Sequence, residues 1–139
     1  MEQQNQLSVL LVEDDMIERM KFNRVVEKSK LNIDVIEVRN GEEALESLQD
    51  NKPLPNIIFL DLNMPRMSGL EFLEILKNDD KLKFIPTIIL TTSDNRNDLL
   101  ECYRTGIAGY VLKPLQYEEY VEKITILLSY WSINELVSK

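Results

Sequence analysis

Short apolar, β-rich runs alternate with longer stretches of helical periodicity along the chain, and this alternation limits the folds open to it. Leu7–Val12 is a nearly unbroken apolar run, as a buried parallel strand requires. Ile33–Val38 alternates, which predicts a strand with one more solvated face. Asn56–Leu60 and Thr87–Thr91 read as central strands, and Ala108–Leu112 as a shorter fifth. The intervening segments carry helix-start signals. Asp15 with Glu18, Asn40 with Glu43, and Ser68 with Glu71 each have capping-box form. Helices are predicted over Met16–Ser29, Gly41–Gln49, Gly69–Lys77 and Asn95–Thr105, with Gly106 as a stop. A last helix starts near Gln116. The pattern predicts an α/β fold with a single doubly wound, five-stranded parallel sheet. Tyr120, Val121, Ile124, Leu127, Leu128 and Trp131 keep helical spacing, and apolar residues persist to Val137. The last helix is therefore expected to be extended, at about 30 Å.

At 139 residues the chain fits one domain, with a core over about 7–128 and 129–139 extending the last helix. No repeat or linker interrupts it. Sixteen basic against 24 acidic residues give a net charge of −8, which opposes binding to nucleic acid by this chain alone. The single cysteine, Cys102, allows no internal disulfide and suits a reducing cytoplasm. No apolar run reaches membrane-span length, and Met1–Gln6 does not resemble a signal peptide, so a cytoplasmic location without membrane contact is expected. The absence of histidine excludes Ser-His-Asp and Cys-His catalysis and His-ligated zinc.

In a parallel sheet of this kind, ligands bind beyond the carboxyl ends of the strands. The first strand runs into Glu13-Asp14-Asp15 and the third into Asp61. The fourth ends at Thr91, followed by Thr92 and Ser93, and the fifth runs into Lys113-Pro114. Converging carboxylates raise one another's pKa unless a cation joins them. Oxygen ligands without imidazole or thiolate suit a hard divalent ion, above all Mg²⁺. Lysine and threonine hydroxyls complement a phosphoryl group. The set points to phosphoryl transfer with a carboxylate nucleophile, a charge-neutralising metal, and Lys113 balancing the product. Asp15 reads as a helix cap and Cys102 as a packing residue. Gly69 and Gly106 mark helix ends, and no phosphate-loop or dinucleotide motif is present.

Four blocks in order carry a specific resemblance. They are Val12-Glu13-Asp14-Asp15, the run from Asp61 to Gly69, Leu90-Thr91-Thr92-Ser93, and Gly109-Tyr110-Val111-Leu112-Lys113-Pro114. Together they resemble the receiver domain of two-component response regulators, over roughly residues 7–128. The resemblance implies a (βα)5 flavodoxin-like, CheY-like fold. It implies that Asp61 accepts phosphate from a histidine kinase's phosphohistidine. It implies Mg²⁺ held by Asp14 directly, Glu13 through water, Asp61, and the backbone carbonyl of Asn63. Lys113 and Thr91 are then expected to bind phosphoryl oxygens, and Tyr110 to act with Thr91 as an aromatic switch that turns inward. Asn63 and Ser93 hold the two positions that tune phosphate lifetime in the family. The matching Lys-Pro bond is cis there, which makes Lys113–Pro114 a candidate cis bond.

Loop lengths and the aromatic last helix resemble, more narrowly, the stand-alone regulators paired with bacterial phytochrome-type kinases. The resemblance implies a signalling switch rather than an enzyme, with self-catalysed phosphotransfer and slow autodephosphorylation. Expected partners are a sensor histidine kinase or phosphotransfer protein and a downstream target protein. A homodimer is a further expectation, through the fourth helix, fifth strand, fifth helix and the helical tail bearing Trp131, Ile133, Leu136 and Val137. Two alternatives compete. One is a non-phosphorylated pseudo-receiver acting as an interaction module. The other is a phosphatase of the haloacid dehalogenase type, against which Asn63 stands where that class carries a second acid.

Overall fold

A computed structural model describes residues 6–49 and 51–138. The strands are β1 (Leu7–Val12), β2 (Ile33–Val38), β3 (Ile57–Leu60), β4 (Thr87–Thr91) and β5 (Gly109–Leu112). The helices are α1 (Met16–Ser29), α2 (Gly41–Ser47), α3 (Gly69–Lys77), α4 (Arg96–Thr105) and α5 (Tyr117–Ser132). All strand pairs are parallel, in the order β2-β1-β3-β4-β5. This is the doubly wound architecture expected.

Strand side chains alternate between faces, so each strand feeds two cores. Leu10, Val12, Ile58, Leu60 and Ile89 pack with Ala44 of α2 and its C-cap Leu48, with Phe72, Leu73 and Leu76 of α3, and with Cys102 of α4. Leu7, Val9, Leu11, Ile57, Phe59, Ile88 and Leu90 pack with Phe22 and Val25 of α1 and with Tyr120, Ile124 and Leu128 of α5. Phe22 meets Phe59 edge-on at 5.2 Å between ring centroids. Burial, with Asp98 and Glu101 adding to it, pushes the Cys102 thiol up to about 11, so it is a packing group and not a thiolate.

Helix starts follow their capping residues. Asp15, Asn40 and Ser68 each accept a backbone N–H from the first turn that follows. Helix α2 stops at Ser47, short of Gln49, and the Ser47 hydroxyl donates to the Ala44 carbonyl at 2.7 Å. Asn95 is the N-cap of α4 rather than its first residue.

The end of α5 differs more. With 16 residues it is the longest helix, but it stops at Ser132 instead of continuing to Val137. Ser132 Oγ donates to the Leu128 carbonyl and Asn134 Nδ2 to the Tyr130 carbonyl, both at 2.7 Å. These side chains satisfy last-turn carbonyls and let the chain turn away. Residues 133–138 fold back. Leu136 packs on the same core edge as Trp131, and Ser138 Oγ reaches the Pro55 carbonyl at 2.9 Å. Ile133 and Val137 stay exposed at 80% and 77%. The tail is therefore a hook over the loop before β3, not a helical arm. The Lys113–Pro114 bond is trans, since the described residues contain no cis bond. Trans is the favoured isomer, by about 0.5–1 kcal/mol.

Gly69 ties this framework to the end of β3. Its N–H donates to the Leu62 carbonyl at 3.1 Å. A Cβ there would collide with the Asp61 carbonyl oxygen and lie 2.7 Å from Leu62 Cα. Both are backbone atoms, so Gly69→Ala must displace the turn that carries Asp61. The substitution is expected to cost about 1–3 kcal/mol, read as a lower urea midpoint. Leu136→Ala is expected to lower stability by about 1 kcal/mol, because its side chain is only partly buried. The same urea titration checks it, and an unchanged midpoint would mean that the hook carries no stability.

Candidate functional site

The sheet order reverses at β1, whose neighbours are β2 and β3. Crevices open at such reversals. Val12 lies opposite Leu60 in the β1–β3 register, so Glu13 and Asp61 leave adjacent strands side by side. The Asp61 N–H donates to the Val12 carbonyl at 3.0 Å and keeps the two strands paired to their ends. Glu13, Asp14 and Asp61 each offer a carboxylate oxygen, and these oxygens all lie within 4.8 Å of one another. Glu13 and Asp61 are buried, while Asp14 is exposed. An oxygen-only donor set with one solvent-facing member fits a hard divalent cation that keeps waters in its shell. Asn63 follows Asp61 by two residues, and its N–H donates to Asp61 Oδ1 at 3.4 Å.

Lys113 enters from β5. Its N–H donates to the Thr91 carbonyl at 2.8 Å, which extends the β4–β5 pairing beyond the last strand residues. Its Nζ lies 2.6 Å from Glu13 Oε1, 3.4 Å from Glu18 Oε1 and 4.0 Å from Asp61 Oδ2. The Lys113 and Glu13 side chains are only 6% and 5% exposed, so the pair is a buried one. Burial pushes the Glu13 carboxyl up to about 7, against the pull of the Lys113 hydrogen bond and charge. Desolvation opposes the Lys113 charge, but Glu13, Asp61 and Glu18 outweigh it and the net shift is upward. Lys113 is therefore held as an ammonium facing the carboxylates.

Thr91 is fully buried at the end of β4. Its Oγ1 accepts the Ser93 N–H at 3.2 Å. Tyr110, on β5, is half-buried against the α2/α3/α4 core and donates its hydroxyl to the Ser93 carbonyl at 2.8 Å. Burial raises the Tyr110 pKa, which keeps the hydroxyl a donor. The ring is thus turned inward. Thr92, just beyond β4, is exposed.

The structure brings Glu13, Asp14, Asp61 and Lys113 together and places Thr91 and Tyr110 on the neighbouring strands. Glu18 is a member that sequence reasoning missed. Its capping-box position explained it too well: Asp15 does cap α1, but the Glu18 carboxylate goes to Lys21 at 2.9 Å and to Lys113. The signal available was its place one helical turn beyond Asp14. Arg66 lies outside this cluster and pairs with Glu42 at 3.9 Å. It takes a left-handed backbone (φ 66°) in the loop after β3, a conformation that costs a non-glycine residue about 1–2 kcal/mol.

With this geometry in hand, comparison with known proteins is specific. Residues 9–125 match the family described as the response regulator receiver domain. The chain is 33% identical over 128 residues to response regulator Rcp1 of a Synechocystis species, covering 88% of this chain and 87% of that protein. It is 33% identical to the polar-differentiation response regulator DivK of Brucella anthropi, covering 84% and 92%. The crystal structure of the Mn²⁺-bound form of Rcp1 superposes with a TM-score of 0.88 at 32% identity, covering 94% of this chain and 98% of that one. The phosphorylated cyanobacterial phytochrome response regulator RcpA also gives 0.88, at 28% identity, covering 96% and 99%. The carboxylate trio, the buried lysine and the threonine at the strand ends thus lie on a fold and in a sequence that match throughout, and the chain belongs to the response regulator receiver domain family.

Proposed function

We propose that Asp61 accepts a phosphoryl group from a phosphohistidine and that this chain works as the receiver of a two-component phosphorelay. The observation that carries the reading is the convergence of the Glu13, Asp14 and Asp61 carboxylates on one spot with the Lys113 ammonium beside them. Asp14, Asp61 and the Asn63 carbonyl would hold Mg²⁺, with Glu13 acting through water. When bound, the divalent ion neutralises charge on the transferring group and its acceptor. An Asp61 carboxylate oxygen forms the new P–O bond as the donor's P–N bond breaks, and the imidazole leaves with the P–N electron pair. Lys113 faces the extra negative charge, and the Thr91 hydroxyl donates to a phosphoryl oxygen. Binding of the phosphoryl group then favours the arrangement that keeps Tyr110 inward. The chain's role is a switch, with turnover limited to its own phosphorylation and slow dephosphorylation.

Partners follow from exposed apolar groups. Met16, Ile17 and Met20 on α1, and the 99%-exposed Leu115 two residues after Lys113, flank the site in sequence and suit a docking sensor kinase or phosphotransfer protein. An apolar groove lined by Tyr110, Val111, Leu112, Lys123, Ile126 and Leu127 lies on β5 and α5. It suits a downstream target or a second copy of the chain. A phytochrome-type kinase as the donor is supported by the similarity to RcpA and by the loop lengths. No described helix is long and apolar enough to cross a membrane. The free, buried Cys102 agrees with a cytoplasmic location.

The test is intact mass after incubation with acetyl phosphate or phosphoramidate and Mg²⁺. A gain of one phosphoryl group is expected, absent in Asp61→Asn and with EDTA, while Asp14→Asn needs more Mg²⁺ for the same gain. Uptake that survives in Asp61→Asn, or that ignores EDTA, would contradict the assignment.

A further inference from the structure

Ser93 is engaged at every polar atom it has. Its N–H donates to Thr91 Oγ1 at 3.2 Å, and its carbonyl accepts from the Tyr110 hydroxyl at 2.8 Å. Its own hydroxyl donates to Asp98 Oδ2 at 2.9 Å and accepts the Asn95 N–H at 3.4 Å. One residue therefore joins the end of β4, the middle of β5 and the first turn of α4.

Asp98 is the unexpected member. It is the third residue of α4, where the acid of a capping box turns back to the N-cap N–H. Here the Asn95 N–H goes to Ser93 Oγ instead, and the Asp98 carboxylate accepts a hydrogen bond from the Ser93 hydroxyl. The helix dipole favours an acid in this turn without any contact to the loop. The bond to Ser93 is an additional, directed interaction, and a hydrogen bond to a charged group is stronger than a neutral one.

A hydroxyl has one proton to donate and two lone pairs to accept with. By accepting the Ser93 N–H, Thr91 uses a lone pair and keeps its proton for a phosphoryl oxygen. We propose that Asp98 is a positioning residue for phosphoryl transfer: by holding the Ser93 hydroxyl from α4, it fixes the loop arrangement that presents the Thr91 proton to the site and keeps Tyr110 inward. The proposal rests on the reading of Asp61 as acceptor. Its consequence is a coupling between the site and α4, so a partner that shifts α4 changes phosphoryl uptake and is itself affected by it.

The test uses the full chain with Asp98→Ala, Asp98→Asn, Ser93→Ala and the Asp98→Ala/Ser93→Ala double variant. The readouts are the initial rate of phosphoryl uptake from acetyl phosphate with Mg²⁺ and the urea midpoint of each protein. Asp98→Ala is expected to slow uptake about fivefold. Asp98→Asn should recover most of the rate, because its amide oxygen still accepts from Ser93. Ser93→Ala should match Asp98→Ala, and the double variant should be no slower than the slower single one. Uptake by Asp98→Ala at the wild-type rate overturns the proposal alone. So do effects that multiply in the double variant, or rates in Asp98→Ala and Asp98→Asn that fall equally with their urea midpoints. No uptake by wild type from either acetyl phosphate or phosphoramidate overturns the acceptor reading and this proposal with it.

Discussion

Lys113 and Glu13 form a buried ion pair at 2.6 Å, and the rest of the site is arranged around it. Glu13 sits where burial alone would neutralise it. Desolvation works against the Lys113 charge, and the surrounding carboxylates outweigh it. Each keeps its place because of the other, and because Asp61 and Glu18 add negative charge around the ammonium. The pair also crosses the sheet. Glu13 directly follows β1 and Lys113 directly follows β5, so the contact spans the ends of β3 and β4, where Asp61 and Thr91 sit. A cation within reach of three carboxylates is what allows them to gather in a nearly dry spot. A divalent ion would extend the same charge balance toward solvent, on the side of the exposed Asp14.

From that centre, the hydrogen bonds lead outward in one direction. Thr91 is linked to Ser93, and Ser93 to Tyr110 on β5 and Asp98 on α4. The exposed apolar groups of β5 and α5 lie at the end of this chain of contacts. The geometry therefore joins a charged site to a hydrophobic surface through a few directed bonds in a single loop. A switch needs this form, because a change in charge at one end alters which loop arrangement is favoured, and the loop carries the change to the surface.

Most of this architecture was legible in the sequence. β1, α1, β2, α3 and β4 run over the residues that periodicity and capping patterns indicated, because buried apolar runs and N-caps act locally. The gathering of Glu13, Asp14, Asp61 and Lys113 was legible for a topological reason, since every strand of a parallel sheet ends at the same edge. What escaped depends on side-chain competition. The apolar spacing beyond Ser132 favours helix, but Ser132 and Asn134 satisfy the last carbonyls themselves and the tail becomes a hook. Glu18 and Asp98 both sit where a capping box would use them, and both are drawn to partners from elsewhere in the chain or just before the helix. A pattern that one local role already explains hides a second role.

Phosphoryl transfer at this site requires Asp61 as the acceptor. Borohydride reduces an acyl phosphate to the alcohol, so treating the phosphorylated chain and mapping its peptides marks the residue that carried the group. Homoserine is expected at position 61, with no other carboxylate reduced. Homoserine at position 14, 2-amino-5-hydroxypentanoic acid at position 13, or a phosphoryl group that resists borohydride as a serine or threonine ester does, would contradict that assignment.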